Sequence, residues 1–431
     1  MKKYVHYILS TSYCTFILGE TCTSRATEFA QDRQGGLLVH EPLNYGQYKL
    51  FRSYESVADV RTGFECFLGQ TGYPDPSKMY TQPNFEVTSG RYYYHELGDP
   101  PATIATKHLY PWLTDPTNSM TNYERGCQHL EQLIAPRHEG VSSPEDHEGF
   151  VLRTTRVPSV NNYNMSLDNG VWGVRLETKD VYNGGLFVIS VDDMPYGGAV
   201  WPAVWLLGTS TQDWIEFRSK ATGLAMKNTW PSHGEIDLIE YVNAHCEGSD
   251  GRNQVTLHTR HGCTSAVNDS LRAGVEDARC DHYDGNFGCY GKMPRNTVGS
   301  PTFNGGYFVY EWKVSHFIKG WFFESDEWDR MTAGSTDDTI NTENFPHAQV
   351  EHNLYHGCSD HSMFKNMRIV INTAICGDWA GNVGCEPSDP DGITYQPPDC
   401  KASVLNYIKS RDQDVLPDSF SWNFSYIRVY T

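Results

Sequence analysis

The chain from about residue 170 onward is a series of short apolar runs separated by turn residues. The runs are rich in aromatic and β-branched residues, which favour extended structure. Many short strands at this spacing are typical of an all-β, antiparallel sandwich or barrel. The main runs are residues 185–191, 203–207, 307–314 and 422–430.

Helical patterns are few. Apolar residues at helical spacing occur at 127–134 and at 404–408, and they predict two short helices. The acidic stretch 324–338 is predicted to be a solvated loop.

The charge of the chain excludes some partners. Its 34 Lys and Arg against 53 Asp and Glu give a net charge of −19, which repels phosphate backbones and anionic lipid. We therefore expect neither nucleic acid nor membrane as a partner. Aromatic residues make up 13% of the chain, and their flat faces can pack against sugar rings.

The N-terminus has features of an export signal. Lys2 and Lys3 precede a moderately apolar run at 5–19, and small residues follow at 24–26. We predict a signal peptide over 1–26 and a secreted protein, extracellular or in the cell wall. Residues 27–109 lack clear periodicity and are treated as an N-terminal extension.

Cysteine usage agrees with an oxidising compartment. Of 12 cysteines, Cys14 and Cys22 fall in the predicted signal, which leaves an even number and no CxxC pair. Disulfides are expected, although spacing does not give their connectivity. Possible glycosylation sequons begin at Asn164, Asn268 and Asn423.

Three carboxylates are concentrated in one apolar run, Glu235-Ile236-Asp237-Leu238-Ile239-Glu240. A regular strand would place Glu235 and Asp237 on one face and Glu240 on the other. One β-bulge after Asp237 returns Glu240 to the acidic face. The two glutamates would then lie about 13 Å apart along the strand, at about 3.3 Å per residue.

Side chains that lean along the strand could bring the two carboxyl groups to the separation of roughly 5 to 5.5 Å that a retaining glycosidase needs. There, one carboxylate attacks the anomeric carbon and the other protonates the leaving oxygen. An acidic strand edge and a Ca²⁺ site are alternatives that spacing leaves open. Spacing also does not say which glutamate has which role.

The run Glu235 to Glu240 resembles the ExDxxE signature of glycoside hydrolase family 16. Four further segments resemble landmarks of its fungal-type, laminarinase-like endo-1,3(4)-β-glucanases, in the expected order. They are residues 194–197, 201–205, 253–259 and 376–382. The resemblance covers about residues 110–431 and implies a catalytic domain there, with a β-jelly-roll fold and a glucan-binding cleft across its concave sheet.

The resemblance also implies roles for the carboxylates. Glu235 would be the nucleophile, Asp237 its orienting partner and Glu240 the general acid/base. Double displacement by two carboxylates needs no cofactor, so none is expected, and a structural Ca²⁺ is left open. His258 and His261 would lie on opposite faces of a strand, which argues against a metal pair.

Four residues are expected to line the cleft by the same resemblance. The tryptophans would stack on glucosyl rings or form part of the cleft surface. Core packing of a tryptophan and a purely structural histidine are the alternatives. The four are Trp201, Trp205, His258 and Trp379. An insertion at 246–252 and the cysteines Cys263, Cys280 and Cys289 are expected to remodel one end of the cleft.

The sequence thus predicts a monomeric, secreted, retaining endo-β-glucanase that acts on 1,3- or mixed 1,3;1,4-linked β-glucan. A non-catalytic glucan-binding sandwich and a wall-remodelling transglycosylase are alternatives on the same fold. A family 7 cellulase carries a similar acidic strand and would be distinguished by hydrolysis of cellulose.

Overall fold

A computed structural model describes most of the chain from residue 171 onward and shorter parts before it. The described residues are 30–31, 37–39, 46–71, 134–137, 149–153, 155–156, 171–208, 231, 233–259, 262–265, 279–282, 286–354, 363–386, 392–411 and 418–431. The predicted signal peptide and the sequons at Asn164 and Asn268 lie outside them.

Two β-sheets make up the architecture of the described residues. The large sheet contains β1 (Ala30–Gln31), β2 (Leu37–Val39), β4 (Phe64–Thr71), β7 (Thr155–Arg156), β8 (Val171–Thr178), β9 (Val181–Tyr182), β11 (Val200–Gly208), β12 (Glu235–Glu240), β13 (Arg252–His258), β14 (Cys289–Arg295) and β19 (Met367–Ile375). The small sheet contains β3 (Gln47–Tyr54), β5 (Ile134–Pro136), β6 (Phe150–Leu152), β10 (Gly185–Asp193), β15 (Gly306–Lys313), β16 (Phe317–Phe323), β17 (Thr339–Asn341), β18 (Val350–Asn353) and β20 (Trp422–Tyr430).

Strand pairing is antiparallel throughout the described sheets except between β2 and β9. The large sheet runs β1-β2-β9-β19-β11-β12-β13-β14, with β8 also paired to β19, β4 and β7. The small sheet runs β17-β3-β20-β10-β15-β16-β18, with β6 paired to β20 and β5. The predicted all-β jelly-roll sandwich is confirmed.

The main core contains residues from strands of both sheets. Ile236 and Ile371 of the large sheet belong to the same buried cluster as Phe187 and Trp312 of the small sheet. Alternation along each strand directs one set of side chains into this core and the other set away from it. The acidic strand β12 lies inside the large sheet, between β11 and β13.

Four short helices accompany the described sheets: α1 (Val57–Gly63), α2 (Ser325–Met331), α3 (Gly377–Val383) and α4 (Cys400–Arg411). A 3₁₀ turn occupies Asp418–Phe420. Helix α4 confirms the helical prediction at 404–408.

Two local predictions were wrong. The acidic stretch 324–338 contains helix α2, because buried Trp328 stacks on Tyr307 at 4.9 Å between ring centroids. Ile134 begins strand β5, paired with β6, so it is extended rather than helical. The other residues of this predicted helix, 127–133, lie outside the described residues.

Part of the predicted N-terminal extension belongs to the sandwich. Strand β3 pairs with β20 and β17 in the small sheet, and β4 pairs with β8 in the large one. The division of the chain at residues 26 and 109 stays a prediction. No helix among the described residues is long and apolar enough to cross a membrane.

Candidate active site

A β-bulge at Leu238 brings the three carboxylates to one face of β12. Asp237 pairs with Trp205 of β11, whereas Ile239 pairs with Val204, so Leu238 is the extra residue. Ile236, Leu238 and Ile239 all enter the buried core. The bulge predicted from the sequence after Asp237 is therefore present, and Glu240 shares the outward face with Asp237.

The side chain of Asn253 occupies the gap that the bulge leaves in the sheet. Strand β13 pairs with β12 only along Glu235–Asp237. Beyond that point Asn253, fully buried, accepts a hydrogen bond from the Glu240 backbone N–H at 2.8 Å and donates one to the Leu238 carbonyl at 2.9 Å. It thereby satisfies backbone groups that the bulge removes from the ladder.

A tight turn precedes the first carboxylate. Gly234 has φ +81°, and an added Cβ would lie 2.6 Å from the Phe364 ring. Only glycine combines this left-handed backbone with such a close neighbour. The turn fixes where β12 begins and therefore where Glu235 stands.

The Glu235 end of the strand faces a histidine. His258 pairs directly with Glu235 across β12 and β13. Its Nε2 lies 3.2 Å from Asp237 Oδ2 and 3.9 Å from Glu235 Oε1. Glu235 and His258 are both partly exposed, with side-chain exposures of 15% and 14%. These two groups are thus within reach of a bound molecule.

The Glu240 end faces two tryptophans. Trp201 Nε1 donates a hydrogen bond to Glu240 Oε1 at 2.9 Å, and Trp379 meets the Trp201 ring edge-on at 5.8 Å. Both tryptophans are partly exposed. Trp201 therefore contacts the carboxylate directly, a contact for which the sequence offered no signal.

Burial changes the proton affinity of two carboxyl groups. Burial raises the pKa of Asp237 well above its usual range. Burial and the charge of Asp237 likewise raise the pKa of Glu240, against the opposing effects of His258 and of the Trp201 hydrogen bond. A buried carboxyl with a raised pKa can hold a proton near neutral pH and deliver it.

Trp205 is buried, although it lies on the same strand face as Trp201. It is 5% exposed, the Arg175 guanidinium lies 4.6 Å from its ring centroid, and its Nε1 donates to Asn372 Oδ1 at 2.7 Å. Arg175 is itself paired with buried Glu177. This burial favours the core-packing alternative for Trp205, and its contact with substrate stays a prediction.

The carboxylate cluster also has the composition of a metal site. Oxygen and nitrogen atoms of Glu235, Asp237 and His258 lie within 4.8 Å of one another. Carboxylate oxygens and an imidazole are ligands that divalent cations accept. Double displacement needs no cation, and the expectation of no cofactor stays a prediction.

Disulfides hold the segment that carries Trp379. Cys246–Cys385 joins the chain after β12 to the end of α3. Cys376–Cys400 joins the start of α3 to α4. Asn243 adds hydrogen bonds from its Nδ2 to the Gly384 carbonyl at 2.8 Å and to Tyr395 Oη at 2.7 Å. Helix α3 is therefore fixed beside the Glu240 end of the strand.

The chain is similar to known fungal glucanases. It is 30% identical over 331 residues to a probable endo-1,3(4)-beta-glucanase of Aspergillus flavus, matching 74% of this chain and 41% of the relative. It is 28% identical over 329 residues to an endo-1,3(4)-beta-glucanase of Arthroderma benhamiae, matching 73% of this chain and 60% of the relative. The matched part thus spans about two fifths of the longer relative and three fifths of the other.

Solved structures share the fold. Laminarinase 16A from Phanerochaete chrysosporium, determined with 6-O-glucosyl-laminaritriose in its donor and acceptor sites, is 22% identical with a TM-score of 0.54. An elongating family 16 β-1,3-glucosyltransferase is 24% identical with a TM-score of 0.55. Each comparison covers 89% of this chain and all of the other.

A family model described as the XgeA-like catalytic domain of GH16 matches residues 115–216 and 222–430. This match covers more than half of the chain and includes all three carboxylates of β12. The chain therefore belongs to glycoside hydrolase family 16, in its XgeA-like group.

Proposed function

We propose that this protein is a retaining endo-β-glucanase that hydrolyses 1,3- or mixed 1,3;1,4-linked β-glucan. The observation that carries the proposal is the bulge at Leu238, which puts Glu235 and Glu240 on one face of β12 in different surroundings. The names of the fungal relatives support the choice of β-glucan as substrate.

In the first step, the Glu235 carboxylate attacks the anomeric carbon while Glu240 transfers its proton to the leaving glycosidic oxygen. The raised pKa of Glu240 supports this role, because the group must hold a proton until the bond breaks. A covalent glycosyl ester on Glu235 is the product of this step, together with the shortened glucan.

In the second step, the Glu240 carboxylate takes a proton from water, and the water oxygen attacks the anomeric carbon. The Glu235 ester bond breaks, and the sugar leaves with its original β configuration. Glu235 is released as a carboxylate and Glu240 is protonated again, so the enzyme is ready for another turnover.

Asp237 limits the charge of the cluster. Its raised pKa favours a protonated carboxyl beside Glu235, which lets it donate a hydrogen bond to the nucleophile. With Asp237 neutral, burial is what keeps the pKa of Glu240 raised. We assign it a positioning role rather than a step in bond breaking.

The experiment compares the parent with Glu235→Gln and, as a matched control, Glu324→Gln, an exposed glutamate at the start of α2. Each is incubated with laminarin and barley mixed-linkage glucan, followed by product sizing and anomeric NMR. We expect short oligosaccharides, released as β anomers, from the parent and the control only. Retained activity in Glu235→Gln would overturn the assignment, and products longer than the substrate would identify a transglycosylase.

We also propose an extracellular location. Disulfides such as Cys246–Cys385 persist in oxidising compartments and are rare in the cytosol. N-terminal sequencing of protein recovered from culture medium tests it: a start near residue 27 is expected, whereas retention of the full protein inside the cell would contradict it.

A further inference from the structure

We propose that Phe287 forms an additional sugar-binding subsite at the Glu235 end of β12, for a glucosyl unit beyond those that flank the scissile bond. This inference rests on the proposed function and deepens it. Phe287 is 74% exposed, the most exposed large hydrophobic side chain among the described residues. Covering an apolar ring that is exposed to water lowers the free energy.

A row of rings connects Phe287 to the catalytic carboxylates. Its ring lies 5.7 Å from His282, and the His282 ring lies 5.5 Å from His258, in edge contacts. His258 in turn lies 3.2 Å from Asp237. Phe287 is therefore continuous with the reacting centre but separated from it by two imidazoles, as expected for a distal subsite.

The loop that carries Phe287 is fixed to the sheet. Cys280–Cys289 closes it, and His282 donates a backbone hydrogen bond to the Thr259 carbonyl at 2.9 Å. The Asn286 side chain donates to the Arg279 carbonyl at 3.1 Å. The backbone on both sides of residues 283–285 is thus tied down before substrate arrives, which lowers the entropy cost of binding at Phe287.

Gly288 brings this loop close to the site. Its φ is +101°, and an added Cβ would lie 2.8 Å from His258 Nδ1. The residue after Phe287 therefore packs directly against the histidine that faces Glu235. A glucan chain that leaves the carboxylates past His258 and His282 would reach Phe287.

The occupant that fits Phe287 is a glucosyl ring of the same β-glucan chain. The C–H faces of a pyranose are apolar and pack on an aromatic face, whereas its hydroxyl groups stay in water. Short substrates would end before this point. The contact should therefore matter for long oligosaccharides and not for short ones.

The test measures kcat/KM on laminariheptaose and laminaritriose for the parent, Phe287→Ala, Phe287→Tyr and Val383→Ala. Val383 is the other large hydrophobic residue exposed in the described residues and serves as the control. We expect Phe287→Ala to lower kcat/KM on the heptaose about 3- to 10-fold and to leave the triose unchanged. Phe287→Tyr and Val383→Ala should match the parent.

An unchanged ratio between the two substrates in Phe287→Ala would overturn the subsite. A binding assay separates this failure from failure of the proposed hydrolysis. Glu235→Gln, with and without Phe287→Ala, is run on affinity gels that contain laminarin or barley glucan. Weaker retardation of the double variant supports the subsite even when no hydrolysis occurs, whereas equal retardation, or none for either protein, contradicts it.

Discussion

The two ends of strand β12 carry the same residue type in different surroundings. Glu235 lies where β13 still pairs with β12, and it faces the partly exposed His258. Glu240 lies past the bulge, where pairing with β13 has ended, and it is buried against Trp201 and Asn253. One end is thus polar and accessible, and the other is enclosed.

This difference teaches how one short strand supplies two chemical roles. An accessible carboxylate beside an imidazole suits attack on carbon, whereas an enclosed carboxyl with a raised pKa suits proton transfer. The bulge makes both possible, because it keeps the carboxylates on one face while moving one of them out of the regular ladder.

The largest effects should come from removing either carboxylate. We expect Glu235→Ala and Glu240→Ala each to lower kcat/KM on laminarin by at least about 10²- to 10⁴-fold. Rescue by azide, with an activated aryl β-laminaribioside as the substrate, distinguishes the roles of the two glutamates. Glu240→Ala should give a β-glycosyl azide, and Glu235→Ala should give an α-glycosyl azide. The reversed pattern would exchange the two roles.

Asn253→Ala should affect both stability and catalysis at the enclosed end. Loss of the side chain leaves the Glu240 N–H without its acceptor and opens a cavity, so we expect the free energy of unfolding to fall by about 2–4 kcal/mol. Urea unfolding measures this, and kcat should fall more than KM rises. An unaltered kcat in a folded Asn253→Ala protein would contradict the positioning role.

His352 beneath the accessible end should make stability depend on pH. It is fully buried, its Nε2 lies 3.1 Å from the Val255 carbonyl oxygen, and burial lowers its pKa from 6.5 to about 4. The unfolded chain binds this proton more readily, so stability is full above pH 6.5 and falls as pH drops toward 4. The loss reaches about 3 kcal/mol.

His352→Gln should therefore flatten this part of the stability profile, measured by urea unfolding between pH 7 and 4. His316→Gln, at an exposed histidine, is the matched control and should leave the profile unchanged. An identical slope in the parent and His352→Gln would show that other groups cause the acid sensitivity.

The smallest effect should come from Trp201→Phe. The substitution keeps a ring beside Trp379 but removes the N–H donor that lowers the pKa of Glu240. We expect the alkaline limb of the kcat/KM profile to move to higher pH, by up to about one unit. Trp205→Phe, which loses a bond to Asn372 instead, should leave that limb in place.

The fold and the acidic strand could be predicted because their signals are local. Alternation of apolar residues predicted the strands, and the spacing of Glu235, Asp237 and Glu240 showed that only a bulge could place all three on one face. The family resemblance, rather than spacing, supplied the roles of the glutamates. Whether the carboxylates act in these roles stays a prediction for experiment.

Other features depend on contacts between distant parts of the chain. The covering of Trp205 by Arg175, the bonds of Asn253 and the pairing of the disulfides have no signature in local spacing. The strands at 47–54 and 64–71 were not recognised, because their partners lie far along the chain. Phe287 was likewise indistinguishable from any other loop aromatic until its exposure was known.

The pairing of β20 has a consequence for biosynthesis. This strand lies between β10 and the strands β3 and β6, which come from much earlier in the chain. The small sheet therefore cannot close until residues 422–430 have left the ribosome. Until then β10 can pair only with β15, and its other edge stays unpaired. Pairing between strands so far apart in sequence is slow, which leaves an aggregation-prone edge in the nascent chain.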